Sequence, residues 1–109
     1  MTTATTLAHH LGAILETDVD AIMRDYSEAS VLVTPKGQLA GLTAIRGFFS
    51  QFIASSPPEL LKAITLSQQE VTGEIAYIIW KAEPFIPFAS DTFLIRDDMI
   101  VVQTFAMAS

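Results

Sequence analysis

The chain is predicted to fold as an α+β domain, with three N-terminal helices packed on one face of a curved, mainly antiparallel sheet. Three observations lead there. Apolar residues recur at helical spacing as far as Ser55, the pair Pro57-Pro58 breaks that pattern, and the residues beyond it fall into long strand-forming runs separated by turn signals. Helices first and a meander second is the order of an α+β fold rather than of alternating βαβ units.

The first helix is marked by Leu7, Leu11, Ile14 and Leu15, after a threonine-rich start that supplies a cap. Thr17-Asp18-Val19-Asp20 fits a capping box that opens a short second helix, with Val19, Ile22, Met23 and Tyr26 on one stripe and an end near Tyr26. Ala29 to Thr34 is rich in β-branched residues. With the turn Pro35-Lys36-Gly37 and the extended piece Gln38 to Ala40 it reads as a small hairpin. The third helix carries Leu42, Ile45, Phe49, Phe52 and Ile53 on one face with Phe48 beside them, and Ser55-Ser56-Pro57-Pro58 stops it.

Four runs then favour strands: Leu60 to Val71, Ile75 to Ala82, Phe88 to Arg96 and Met99 to Met107. Their separators are Thr72-Gly73, Glu83-Pro84 with Pro87, and Asp97-Asp98. In the second run Ala76, Ile78, Trp80 and Ala82 alternate with Ile75, Tyr77, Ile79 and Lys81, so both faces are largely apolar. The last run places Ile100, Val102 and Thr104 on one side and Met99, Val101, Gln103 and Phe105 on the other. A sheet face turned to water is more polar than this, so one face is expected to cover the helices and a pocket and the other to meet a second subunit.

Composition bounds the function. A length of 109 residues suits one domain spanning 1–109, and hydrophobic residues make up 50% of it against 17% charged. That apolar surplus points to a lined cavity, an oligomer interface or both. The formal charge of -6, with no basic cluster, repels phosphate backbones, so nucleic acid is not an expected partner. The absence of cysteine excludes disulfides, thiol nucleophiles and thiolate metal sites, and a cytoplasmic location is the default expectation. No basic segment precedes an apolar one at the start, and no apolar stretch is long enough to span a bilayer. With two adjacent histidines and scattered carboxylates, no pair has metal-ligand spacing on one helical face, and no cofactor motif is present. Gly-x-Ser-x-Gly and phosphate-binding loops are absent as well.

Asp18-Val19-Asp20-Ala21-Ile22, the stretch Tyr26 to Pro35, Gly41 through Phe49, Trp80 on a middle strand, and Asp91-Thr92-Phe93 before the final hairpin occur in this order. In that order they resemble the nuclear transport factor 2-like superfamily, in particular its SnoaL-like polyketide cyclase and ketosteroid isomerase branches. The resemblance covers nearly the whole chain. It implies the cone-shaped, cystatin-like fold and a homodimer that packs sheet against sheet. In the ketosteroid isomerase pattern a carboxylate base precedes a proline after the second helix, a tyrosine on the first helix donates to an oxyanion, and an aspartic acid on a later strand donates beside it. Those positions fall at Thr34, His10 and Asp91. Thr34 departs from the pattern, since a hydroxyl does not accept a proton as a carboxylate does.

The expected catalytic pair is therefore His10 and Asp91. Imidazole titrates near neutrality, and an Asp among apolar neighbours has its pKa raised by desolvation and becomes able to donate to a carbonyl. His9 and His10 point about 100° apart on a helix, so one of them faces solvent. Tyr26, Thr34, Phe48, Phe49, Phe52, Ile78, Trp80 and Phe93 are the expected lining of an apolar cavity. Arg46 is expected to pair with an acidic neighbour or sit at the surface, Asp18 and Asp20 to serve the helix start, and Asp25 and Glu28, which flank Tyr26, either to be solvated, the commoner fate of such charges, or to supply a displaced base. The expected activity is binding of a small, mostly apolar molecule in the cone, with acid/base isomerase or cyclase-type chemistry. The alternatives are a non-catalytic ligand-binding domain and a protein-interaction or dimerisation module. A hydrolase of the epoxide type needs an Asp-Arg-Asp relay, in which Arg46 is not placed.

Overall fold

The computed structural model of the chain describes residues 2–108. Helix α1 (Thr3–Leu15) opens on a reciprocal capping box, in which the Thr2 hydroxyl accepts from the Thr5 backbone N–H and the Thr5 hydroxyl accepts from that of Thr2. Helix α2 (Val19–Met23) is capped by Asp18 alone, whose carboxylate accepts the Ala21 N–H at 3.0 Å. The box expected from Thr17 to Asp20 does not form, because the cap falls one residue later, at Asp18, and its third helical position is then Ala21, which has no side-chain acceptor; Asp20 pairs instead with Arg46 at 2.9 Å. α2 also ends earlier than Tyr26. The N–H groups of Arg24, Asp25 and Tyr26 bond three residues back, and this tighter winding buries the side chains of Asp25 and Tyr26.

Strands β1 (Val31–Thr34) and β2 (Gly37–Ala40) form the small hairpin. Helix α3 (Leu42–Ser55) begins at Gly41, whose φ of 86° excludes most side chains and which offers no cap of its own. The carboxylate of Glu28 supplies the cap instead, accepting the Leu42 N–H at 2.7 Å.

A fourth helix, α4 (Pro58–Ala63), corrects the count of three and the strand expected from Leu60. Proline ends α3 but is well suited to the first turn of a new helix, where its missing N–H has no partner to lose. Leu60 is thereby buried, and extended structure begins only at Ile64. The remaining strands are β3 (Ile64–Thr72), β4 (Ile75–Ala82), β5 (Ile86–Arg96) and β6 (Met99–Ala108).

Six strands lie in the order β2-β1-β6-β5-β4-β3, and only the β1–β6 pair is parallel. Between β5 and β6, Asp97 and Asp98 adopt φ of 52° and 64°, the left-handed geometry that a two-residue hairpin needs and that Asp tolerates. The helices pack on one face of this curved, open sheet. That inner face carries Leu32, Ala76, Ile78, Trp80, Asp91, Phe93 and Ile95, which join α1, α2 and α3 in one core.

An irregularity in the last hairpin decides which residues of β6 face inward. Leu94 pairs with Val102 while Ile95 pairs with Ile100, so Val101 is an extra residue and the alternation reverses across it. Ile100, Gln103 and Phe105 therefore share the inner face, and Val102 and Thr104 lie outside. This corrects the expectation that Ile100, Val102 and Thr104 form one side. On the outer face Ile75, Tyr77, Ile79, Leu94 and Val102 are half-buried or exposed. No helix among the described residues is long and apolar enough to cross a membrane.

Candidate functional site

Between α1, α3 and the inner sheet face lies a pocket of about 70 Å³. That is space enough to admit water or a small guest. Its wall is mostly apolar, shared between aromatic and aliphatic side chains. α3 contributes Phe48, Phe49 and Phe52, the sheet contributes Trp80, Phe93 and Phe105, and aliphatic side chains complete it, Ile78 among them. Trp80 and Phe105 stack at 18° with centroids 6.3 Å apart, and Phe48 meets Phe49 and Phe105 edge-on. Only His10, Asp91 and Gln103 interrupt this surface with strongly polar atoms.

Register accounts for how the three polar strand residues meet. Ile78 pairs with Asp91, Asp91 with Phe105, and Phe93 with Gln103, so Asp91 and Gln103 sit diagonally on one face with Trp80 close by. The Trp80 indole N–H donates to Asp91 Oδ1 at 2.8 Å, and Gln103 Nε2 donates to Asp91 Oδ2 at 2.8 Å. The Tyr26 hydroxyl donates in turn to Gln103 Oε1. That last bond fixes the amide so that its nitrogen points at the carboxyl. Burial pushes the Asp91 carboxyl up to about 6, against the Trp80 and Gln103 donors, which favour its charged form. The Tyr26 phenol is pushed well above its ordinary value by burial and then by the charges of Asp91 and Asp25.

His10 stands in an aromatic cage, edge-on to Tyr26, Phe49 and Phe93 at centroid distances of 5.5–5.8 Å. Burial lowers its pKa to about 3, with a further contribution from His9, so the ring is neutral at physiological pH. Behind it Asp25 accepts a hydrogen bond from His9 Nδ1 at 2.9–3.0 Å. Burial raises the Asp25 carboxyl, and His9 opposes the rise. Among the described residues no group of three or more His, Asp or Glu side chains could hold a metal ion.

No protein-family model matches the chain, and no curated protein does. Solved structures do match. An NTF-2-like protein of unknown function from Burkholderia xenovorans superposes with a TM-score of 0.80 at 14% identity, over 98% of this chain and 83% of that one. A SnoaL-like protein of unknown function from Burkholderia thailandensis gives 0.79 at 14% identity, over 98% and 95%. The fold is the nuclear transport factor 2-like one. TerC, co-crystallised with polyporic acid, gives 0.74 at 10% identity, over 97% and 91%.

Within this nuclear transport factor 2-like fold, the residues singled out from the sequence separate into three groups. His10, Phe48, Phe49, Phe52, Ile78, Trp80, Asp91 and Phe93 lie together around the pocket. Tyr26 does not reach the wall and acts from behind it through Gln103. Thr34 is outside altogether, a correction to its assignment as lining. Its hydroxyl donates to Gly37 O at 3.0 Å and accepts the Lys36 N–H at 3.1 Å, which commits it to the hairpin turn. Asp91, expected to donate, is held as an acceptor on both oxygens. Gln103 was not singled out, because period-two counting through the bulge hides its partners. Phe105 was missed for the same reason, and His9 for want of a visible partner.

Proposed function

We propose that the chain binds a small, flat, mostly apolar molecule bearing oxygen, with Asp91 exchanging a proton with it and neutral His10 hydrogen-bonding it. The observation that carries this reading is one buried carboxyl, anchored by Trp80 and Gln103, on the wall of a pocket otherwise lined almost wholly by aromatic and aliphatic side chains. A carboxyl titrating at about 6 is mostly ionised at neutral pH yet basic enough to take a proton from carbon beside a carbonyl and return it. That is the step shared by isomerase and cyclase-type reactions. The aromatic wall favours a planar guest, and polyporic acid, found with TerC, heads the panel of compounds to try.

The test is the ligand-induced thermal shift of the wild type and of Asp91→Asn with polyporic acid and other hydroxylated aromatic compounds. A shift that disappears in Asp91→Asn supports the assignment. Equal shifts in both proteins remove Asp91 from the site.

Binding without turnover is the second reading, favoured by the fact that both Asp91 oxygens already accept hydrogen bonds, as a fixed anchor would. It is separated by product analysis at saturating ligand. The half-buried apolar residues of the outer sheet face, Tyr77, Ile79, Leu94 and Val102, support a homodimer formed through that face. Sedimentation equilibrium of the wild type and of Ile79→Lys tests this: a dimer that the substitution turns into a monomer supports it, and a monomeric wild type overturns it.

A further inference from the structure

Behind the pocket wall, one buried carboxylate stands between two adjacent histidines. Asp25 is 4% exposed and accepts from Nδ1 of His9, whose side chain is 39% exposed. Nδ1 of His10 lies 3.8 Å from Asp25 Oδ2, is buried, and has no hydrogen-bond partner. We propose that Asp25 is a positioning residue for His10: it holds the hydrogen on Nδ1, so that Nε2 meets the pocket as an acceptor and the bound molecule must present a hydroxyl to it. This deepens the proposed function by adding a chemical requirement on the ligand, and it rests on that reading only for the ligand, not for the state of the ring.

The argument is one of charge and geometry. An ionised carboxylate only accepts, so it attracts an Nδ1–H and repels an Nδ1 lone pair. Neutral imidazole carries one hydrogen, and fixing it on Nδ1 leaves the lone pair on Nε2. The other groups that face His10 do not reverse this choice. Tyr26 donates to Gln103, Asp91 is occupied by Trp80 and Gln103, and Phe49 and Phe93 present only ring edges or faces.

A distance of 3.8 Å is too long for a hydrogen bond, and the reason is visible: His9 occupies both oxygens of Asp25. When Nε2 takes a proton from the hydroxyl of a bound molecule, the electron pair of that O–H bond stays on the oxygen and His10 becomes a cation. The carboxylate then needs to approach by only about 1 Å to accept Nδ1–H and serve as counter-ion. Returning the proton to the molecule restores the starting state. His9 thus competes with His10 for one carboxylate, and its hold keeps the resting ring neutral.

The experiment is two-bond proton–nitrogen correlation NMR on histidine-labelled protein without ligand, so its outcome does not depend on whether the pocket reading holds. In the wild type His10 is expected in the Nδ1–H form from about pH 5 to pH 8. In His9→Gln the freed carboxylate is expected to turn to His10 and raise its pKa by about one unit or more. In Asp25→Asn the Nδ1–H preference is expected to be lost. A wild-type His10 in the Nε2–H form overturns the proposal without any variant. A folded His9→Gln protein in which His10 does not move overturns the competition.

Discussion

Replacing Asp91 by Asn tests the electrostatics of the site with little change of shape. In the folded protein the Asp91 carboxyl is raised from 3.8 to about 6. The folded state therefore holds its proton more tightly than the unfolded chain, and this contribution to stability is present below about pH 3.8 and lost as pH rises through about 6. Two units at about 1.4 kcal/mol each amount to about 3 kcal/mol. Asn is neutral throughout and can keep the network: its oxygen accepts from Trp80, its NH2 donates to a flipped Gln103, and the Gln103 nitrogen donates to Tyr26. Other titrating groups cancel in the comparison. The stability of Asp91→Asn relative to wild type should accordingly improve by about 3 kcal/mol between about pH 3.5 and pH 8, read from urea denaturation at both values. A difference that stays constant with pH, or that moves the other way, would refute the account of Asp91 as a buried, reluctantly ionised group.

Four further outcomes follow from the same geometry. His10 has a depressed pKa, so its own contribution to stability should fall by up to about 4 kcal/mol as pH drops from about 6.5 toward 3, against the opposite change from Asp91, and the stability of folded His10→Gln relative to wild type should rise by that amount in the same urea series. Trp80→Phe removes one donor from the carboxylate and should raise the Asp91 pKa by about one unit, measured by carbon-detected carboxyl titration. Glu28→Ala takes the cap from α3 and should cost about 1 kcal/mol in urea denaturation, because Gly41 has no side chain to replace it. Gly41→Ala should also destabilise, since φ there is 86° and the new methyl would stand 3.4 Å from the Glu28 carboxylate; a neutral result by the same assay would count against the strain.

How far the sequence reaches is seen best at particular residues. The helical stripe of α3, the hairpin around Pro35-Lys36-Gly37 and the Asp97-Asp98 turn were legible because periodicity and turn chemistry act locally. α4 was not, because Pro57-Pro58 signals the end of one helix and the start of another with the same residues. The faces of β6 were not, because a bulge adds one residue to one strand and nothing in Met99 to Phe105 marks where. Gln103 followed Val101 out of sight. Asp91 was reachable through the family pattern, whose aspartic acid position it matches, and Trp80 because a lone indole on a strand needs a partner for its N–H. Thr34 was misplaced by matching position rather than environment, and the hairpin turn had the stronger use for its hydroxyl. Asp25 stood out only as a carboxylate beside Tyr26, since its partners arrive from another helix sixteen residues away.

Trp80 is the only tryptophan of the chain, lines the pocket and donates to Asp91, so its emission reports directly on the central claim that this carboxyl governs an aromatic binding site. In the free wild type, Trp80 emission should change with an inflection near pH 6, and the change should be absent in Asp91→Asn. Polyporic acid or a related hydroxylated aromatic compound should quench it saturably, and more weakly in the variant. An emission profile without that inflection, together with no saturable quenching by any compound of the panel, would contradict the account.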